Sequence, residues 1–238
     1  MSTYNIVKLR ATTSTNDYLK LRFRESVLPP FTTVTASHQS MGRGQRESKW
    51  LSKPGKNLLF STLVYNKYNI KHPILLSKFI SVTIAEWLRI SLGIDAQIKW
   101  PNDIVAGNKK IAGILIENVF KGSNFSHSIV GVGLNVNQEN FSELPQASSL
   151  TSITGENYDC DQLLESYLNH LIECFEEFET VHQRYDKYLW RLGLLHQFKI
   201  NEDLTWGVIR GINEEGQLVV KIEKTLALFS EKEIQFIY

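Results

Sequence analysis

The stretch 96–136 constrains the fold more than any other part of the chain, because apolar and β-branched runs alternate there with turn-forming pairs. Strands are expected at 96–100, 104–106, 110–119 and 127–136, with hairpin turns at 107–108 and 122–124. Sequential hairpins of this kind predict a largely antiparallel sheet. The first turn carries KWPND at 99–103, in which Pro101 and Asn102 stiffen the corner, and KKIAGILIE follows at 109–117. Lys99 and Lys110 bring positive charge that suits carboxylate and phosphate oxygens, while Asp103 is able to hold a metal or accept a proton. In IVGVGLNVN at 129–137, Gly131 and Gly133 share one strand face at period two. Such a bare face admits a flat ligand or the close approach of another backbone.

The flanking segments extend this pattern. A strand at 4–9 leads through a threonine-rich link to a helix over 16–24, for which the hydroxyls of Ser14 and Thr15 are candidate caps. Strands at 32–37 and 58–65 flank MGRGQRESKW at 41–50, a loop whose glycines let backbone amides approach an anion beside Arg43, Arg46 and Lys49. The loop is not a P-loop: the lysine–serine ending is missing, and Glu47 stands where a dinucleotide fingerprint needs its third glycine. Residues 73–92 are apolar nearly all round and predict a helix buried against the sheet. Apolar residues at helical spacing from Leu164 to Tyr185 predict one long amphipathic helix, with its aromatic stripe assigned to the core. After Gly193 the pattern changes to short strands at 206–211, 217–222, 227–229 and 234–237, enough for a small barrel.

Composition narrows the function. A chain of 238 residues with 42% hydrophobic content can bury a sizeable core, and a net charge of +1 lacks the clustered positive field of a non-specific nucleic-acid binder. Two cysteines, Cys160 and Cys174, are too few for a disulfide scaffold, and the six histidines show no ligand spacing. A reducing cytoplasm is therefore expected. No signal peptide is expected at the N-terminus, and no membrane span in 73–92, which is interrupted by Lys78, Glu86 and Arg89.

Taken together, the STN triplet at 14–16, the glycine–arginine loop, KWPND, the lysine–AG–glutamate strand and the GVGLNVN strand resemble the catalytic domain of biotin protein ligases, from about Ser14 to Asn137. The resemblance implies an α+β fold, a mostly antiparallel sheet flanked by helices in the manner of class II synthetases, with a small C-terminal SH3-like β-barrel. It places a biotin- and ATP-binding catalytic domain at 1–192 and the barrel at 193–238. The activity implied is activation of biotin by ATP as biotinyl adenylate, with Mg2+ as activating ion, then transfer to a lysine of a carboxylase's biotin carboxyl carrier domain.

Residue roles follow from the same resemblance. Ser14, Thr15, Asn16 and Gln39 are expected to hydrogen-bond the polar ring of biotin, and Gly113, Gly131 and Gly133 to leave room for the ligand. Arg43, Gly44 and Gln45 form the loop side of the biotin site. Lys110 is the expected catalytic cation at both carboxylate and phosphate, supported by Arg43. Arg46, Trp50, Asn102 and Asn135 are expected at the adenylate, with Trp50 stacking on the nucleotide when a mobile loop closes. Asp103 is expected to bind magnesium or to orient the incoming lysine. Gln45 replaces an arginine common in the family's loop, and Glu47 and Ser48 replace a later pair. The chain begins directly at the catalytic segment, without room for a winged helix, which predicts the monofunctional type with no DNA partner and leaves a homodimer open. Two alternatives stand beside this reading: a lipoate or octanoate ligase or transferase of the same fold, and a non-enzymatic nucleotide-binding module.

Overall fold

A computed structural model describes residues 4–45, 48–66, 70, 72–122 and 124–237. Seven strands form the larger sheet: β1 (Asn5–Leu9), β2 (Thr32–Ala36), β3 (Asn57–Tyr65), β4 (Ala96–Lys99), β5 (Asp103–Ala106), β6 (Lys109–Lys121) and β7 (Asn124–Asn135). Their spatial order is β1-β2-β3-β7-β6-β5-β4. The hairpins expected over 96–136 are all present and antiparallel. The exception to the antiparallel pattern is β1, which runs parallel to β2 because helix α1 (Thr15–Glu25) forms a crossover between them.

One face of this sheet carries the main core. Helix α2 spans Pro73–Leu92, as its apolar content predicts, and ends at Gly93 in the left-handed conformation (φ 66°). It packs against helix α4 (Cys160–Phe175), with Phe79, Trp87, Tyr167 and Phe175 buried between them and the strands. The long helix expected through Tyr185 is broken. Backbone geometry leaves the α region at Glu177 (φ −115°, ψ 30°), and the chain continues as α5 (Phe178–Val181), a 3-10 turn (His182–Arg184) and α6 (Tyr185–Tyr188). The break seats both Phe175 and Phe178 on Phe79, with ring centroids at 4.4 and 4.8 Å. A short helix, α3 (Leu150–Thr154), precedes α4. Helix α1 buries Leu19 against Val34, Leu63 and Ile129 in a second, smaller cluster.

The C-terminal segment forms a five-stranded antiparallel sheet: β8 (Leu195–Ile200), β9 (Asp203–Ile212), β10 (Leu218–Ile222), β11 (Thr225–Phe229) and β12 (Ile234–Phe236), in the order β11-β10-β9-β8-β12. Strand β8 was not legible, since LHQFKI mixes polar and apolar residues. The C-terminal sheet is the small all-β unit expected there, with β11 and β12 at its two ends and no ladder between them among the described residues. Phe198, Ile209, Leu218 and Phe236 belong to the same buried cluster as the larger sheet, and Trp100 Nε1 donates to the Gly216 carbonyl at 2.9 Å.

Candidate active site

Pairing register assembles the site on one face of β3, β7 and β6. Ser61, Gly131 and Leu115 form one cross-strand row, and Leu59, Gly133 and Gly113 form the next. Lys110 has the wrong parity to share that face in a regular strand. A register slip corrects it: Ile104 faces Ala112, yet Val105 faces Lys110, so Ile111 is an extra residue. Such a bulge re-aims the neighbouring side chain. The Lys110 amine therefore reaches the space above Gly113, where an added Cβ would lie 3.4 Å from Nζ.

A cavity of about 230 Å3 opens over these glycines. Around it the structure gathers Ser14, Thr15, Asn16, Gln39, Arg43, Gly44, Gln45, Trp50, Asn102, Asp103, Lys110, Gly113, Gly131 and Gly133, segments separated by up to 119 positions in sequence. Asn135 borders a second cavity of about 260 Å3, mostly apolar, which shares Lys110 and Trp50 with the first. Arg46 and Glu47 lie outside the described residues. Lys99, grouped with Lys110 by its charge, does not line the first cavity. Its amine lies 5.2 Å from the Phe236 ring and 5.8 Å from the Trp190 ring, toward the C-terminal sheet.

The floor of the cavity is rich in hydrogen-bond acceptors. Gln39 Oε1 accepts from the Thr15 backbone amide at 2.7 Å and from Thr15 Oγ1 at 3.0 Å. Ser61 Oγ lies 2.7 Å from Thr15 Oγ1 and 2.5 Å from Asn16 Oδ1. Three hydroxyl contacts thus compete for two hydroxyl hydrogens, so acceptor capacity is left over for a donor from outside. Ser14 occupies the N-cap position of α1 but makes no capping side-chain bond, so simple helix capping does not account for it.

Two residues with no assigned role prove central. Ser61 comes from a buried, largely apolar strand in which it stands next to Thr62. Glu117 closes the lysine–AG–glutamate motif and accepts from Asn16 Nδ2 at 2.7 Å and Lys20 Nζ at 2.5 Å. Arg43 reaches the same carboxylate at 3.3 Å and Asp17 at 2.5 Å. Burial pushes the Glu117 carboxyl up, but the hydrogen bonds from Lys20 and Asn16 and the charges of Lys20 and Arg43 prevail, holding it below its ordinary range. Arg43 is thereby pinned at the cavity rim.

The flat group on the glycine face is a side chain of the protein itself. A Cβ on Gly133 would collide with the Trp50 indole, and one on Gly131 with the Asn16 amide. Trp50 Nε1 is buried without a hydrogen-bond partner, and Lys110 Nζ lies 5.5 Å from the ring centroid. The loop bearing it is a small hairpin in which Trp50 N donates to the Gly42 carbonyl at 2.9 Å and Gly44 N to Ser48 O at 2.7 Å. Gln45, in the amide orientation that satisfies both its atoms, donates to Glu231 of the C-terminal segment at 3.3 Å.

Lys110 Nζ sits 2.6 Å from Asp103 Oδ1. Asp103 is the sole carboxylate bordering the first cavity among the described residues, and one of its oxygens is already engaged. That donor set does not make a resident magnesium site, which draws on several oxygens. Asn102 Nδ2 donates to the Ile114 carbonyl and Asn135 Nδ2 to the Ser148 carbonyl, each at 2.9 Å, so both also brace the backbone around the cavities.

A half-buried cation, an acceptor-rich floor and an adjoining apolar cavity match what comparison with known proteins finds. The chain belongs to the biotin/lipoate A/B protein ligase family, whose model matches residues 9–135. It is 31% identical over 227 residues to the bifunctional ligase/repressor BirA of Salmonella typhimurium, covering 91% of this chain and 69% of that protein. BirA of Escherichia coli is 32% identical over 218 residues, and the chain spans 66% of its length. Among solved structures, the biotin protein ligase of Aquifex aeolicus in complex with biotin and ATP superposes with a TM-score of 0.79 at 27% identity, covering 97% of each chain.

Proposed function

We propose that the protein activates biotin with ATP and transfers it to a lysine of a biotin carboxyl carrier domain. The observation that carries this reading is the pair of adjoining cavities that share Lys110, Lys49 and Trp50, with the Lys110 amine above Gly113. An acyl adenylate needs two neighbouring chambers with one cation at their junction, because the reacting carboxylate and the α-phosphate repel each other. The acceptor-rich floor of the first cavity suits the two N–H donors of a ureido ring. The apolar second cavity, bordered by Asn135, suits a purine. The relatives named above support the substrates: one is the biotin protein ligase of Aquifex aeolicus, whose structure was solved with biotin and ATP.

In the first step a carboxylate oxygen of biotin attacks the α-phosphorus and pyrophosphate leaves. Lys110 is positioned to offset charge on both partners. Magnesium enters as the counter-ion of the nucleotide, and no step is assigned to it through Asp103. In the second step the acceptor amine attacks the acyl carbonyl, loses a proton and expels AMP. Asp103 also borders a cavity of about 310 Å3 that faces Lys99, Glu231 and Phe236, so it is reached from the C-terminal sheet. This supports a division in which 1–192 performs activation and 193–238 helps present the acceptor lysine, whose ammonium must deprotonate before attack.

The deciding experiment is ATP–pyrophosphate exchange with biotin, lipoate and octanoate side by side. Exchange with biotin alone supports the reading. Exchange with lipoate or octanoate in preference to biotin would assign the site to the other branch of the family, and none with any acid would leave a binding module.

A further inference from the structure

A cavity larger than either chamber of the candidate active site lies elsewhere on the molecule. It measures about 530 Å3 and lies where the β5–β6 hairpin meets the C-terminal sheet. Lys109 and Arg191 supply positive charge, Trp190, Trp206, Leu195 and His196 form half of the remaining wall, and Asn108, Gln146, Gln197 and Ile237 the other half. Among the described residues no Asp or Glu borders it, although the chain as a whole carries 26 basic and 25 acidic residues. Neither cation is ion-paired among the described residues. Lys109 Nζ donates to the Pro145 carbonyl at 2.5 Å, and Arg191 donates to Asn108 Oδ1 at 3.3 Å while its guanidinium lies 4.9 Å from the Trp190 ring.

Two features indicate a built site. His196 is 8% exposed, and its Nε2 is buried without a partner. Such an orphan is costly unless a ligand completes it. Arg191 also adopts a left-handed backbone (φ 62°), which an arginine takes only where its surroundings impose it. Burial, reinforced by the charges of Arg191 and Lys99, holds the His196 imidazole below its ordinary range.

The rim shows what kind of partner fits. Trp206 is 57% exposed and Leu195 62%, and Leu204, two residues before Trp206 on the same strand face, is 61% exposed. A small free anion would use the cations and leave these apolar groups bare. A peptide with acidic and apolar side chains uses both, and aromatic residues with arginine are the side chains that anchor such interfaces.

We propose that this cavity is a docking site for an acidic segment of the acceptor protein. Naming the acceptor as its source rests on the function proposed above. Position supports that source, because Gln146 borders this cavity and the second chamber alike, and its carbonyl accepts from the Lys110 backbone amide at 2.7 Å. A partner held here stays attached next to the chemistry while its lysine is modified.

Three measurements test the proposal on the full chain. Intrinsic fluorescence, with Trp206→Phe as the assignment control, follows titration with a blocked glutamate–leucine peptide, its lysine–leucine counterpart and inorganic phosphate. Saturable binding of the glutamate peptide alone is expected, and it should vanish in Lys109→Ala/Arg191→Ala. The same double variant should raise the KM for a carrier domain about tenfold, leave biotin-dependent pyrophosphate exchange unchanged, and be rescued in part by Lys109→Arg/Arg191→Lys. Absence of peptide binding, phosphate binding as tight as the peptide, or an unchanged carrier KM each overturns the proposal. If the wild type shows no biotin-dependent exchange, the function reading fails and the acceptor assignment with it, while the peptide titration still decides whether the cavity takes acidic peptides.

Discussion

Lys110 and Asp103 are joined at 2.6 Å across the β5–β6 pair, with side chains 34% and 21% exposed. A pair this accessible adds little to stability, so its value is positional: the carboxylate aims the ammonium at the junction of two cavities. Lys110→Met should lower adenylate formation by about 10² to 10³ with little change in Tm. Asp103→Asn should reduce transfer from preformed adenylate more than it reduces adenylation. Single-turnover measurement of each half-reaction checks both, and equal losses in the two steps for Asp103→Asn would remove its assignment to the acceptor lysine.

Lys99 gives a prediction about alkaline stability. Burial is the main reason its amine is lowered to about 8 from 10.5; the charge of Lys110 adds to the effect and Asp103 opposes it. Between these two values the unfolded chain binds more protons at this position than the folded chain does. The lysine's contribution to stability therefore rises with pH from about 8 to 10.5 and is at its lowest below 8. Lys99→Met should remove that rise. Denaturant unfolding of both proteins from pH 7 to 10.5 reads it as a gap that narrows with pH; a constant gap would show that Lys99 is not desolvated.

Glu117 behaves in the opposite sense. Its carboxyl is held below the ordinary 4.5, so its contribution is present above that value and is lost as pH falls through the lower, folded value. Glu117→Gln should flatten the acid limb of the stability curve. At neutral pH it should cost about 1 to 3 kcal/mol, because Lys20 and Asn16 lose a charged acceptor. Biotin affinity should fall as well, since Asn16 and Arg43 are both anchored there. Calorimetric titration alongside acid unfolding tests the two effects, and intact affinity would separate the network from the ligand.

The two glycines of β7 should respond differently. In Gly133→Ala the new methyl meets the Trp50 indole, which sits on a loop and is free to yield, so stability should change by less than about 1 kcal/mol while tryptophan emission shifts. In Gly131→Ala the methyl meets the Asn16 amide, held between Ser61 and Glu117, so biotin binding should weaken about tenfold or more. Equal behaviour of the two variants would show that Trp50 is as fixed as Asn16.

Much of this was legible in the chain. Short-range patterns revealed the four hairpin strands and the Pro73–Leu92 helix, because alternation, turn pairs and all-round apolarity are local signals, whereas the residues that gather at the first cavity were legible through the resemblance of their motifs to a known family. What escaped depends on tertiary context. Nothing in the apolar run through Tyr185 marks the break at Glu177, which is driven by the seating of two phenylalanines on a third. Charge alone grouped Lys99 with Lys110, although strand geometry sends their amines to different cavities. Ser61 and Glu117 became visible only through partners many residues away in sequence.

The extra residue at Ile111 makes the interval between lysine and the following glycine a matter of counting as well as of identity. With the same interval but regular pairing to β5, Lys110 would swing to the side of the strand opposite Gly113 although every side chain named above would still be present, whereas a chain one residue shorter would reach the same face with no bulge at all. A search for relatives that scores residue types alone would therefore accept chains that keep the interval but pair regularly, and whose ammonium points away from the reaction.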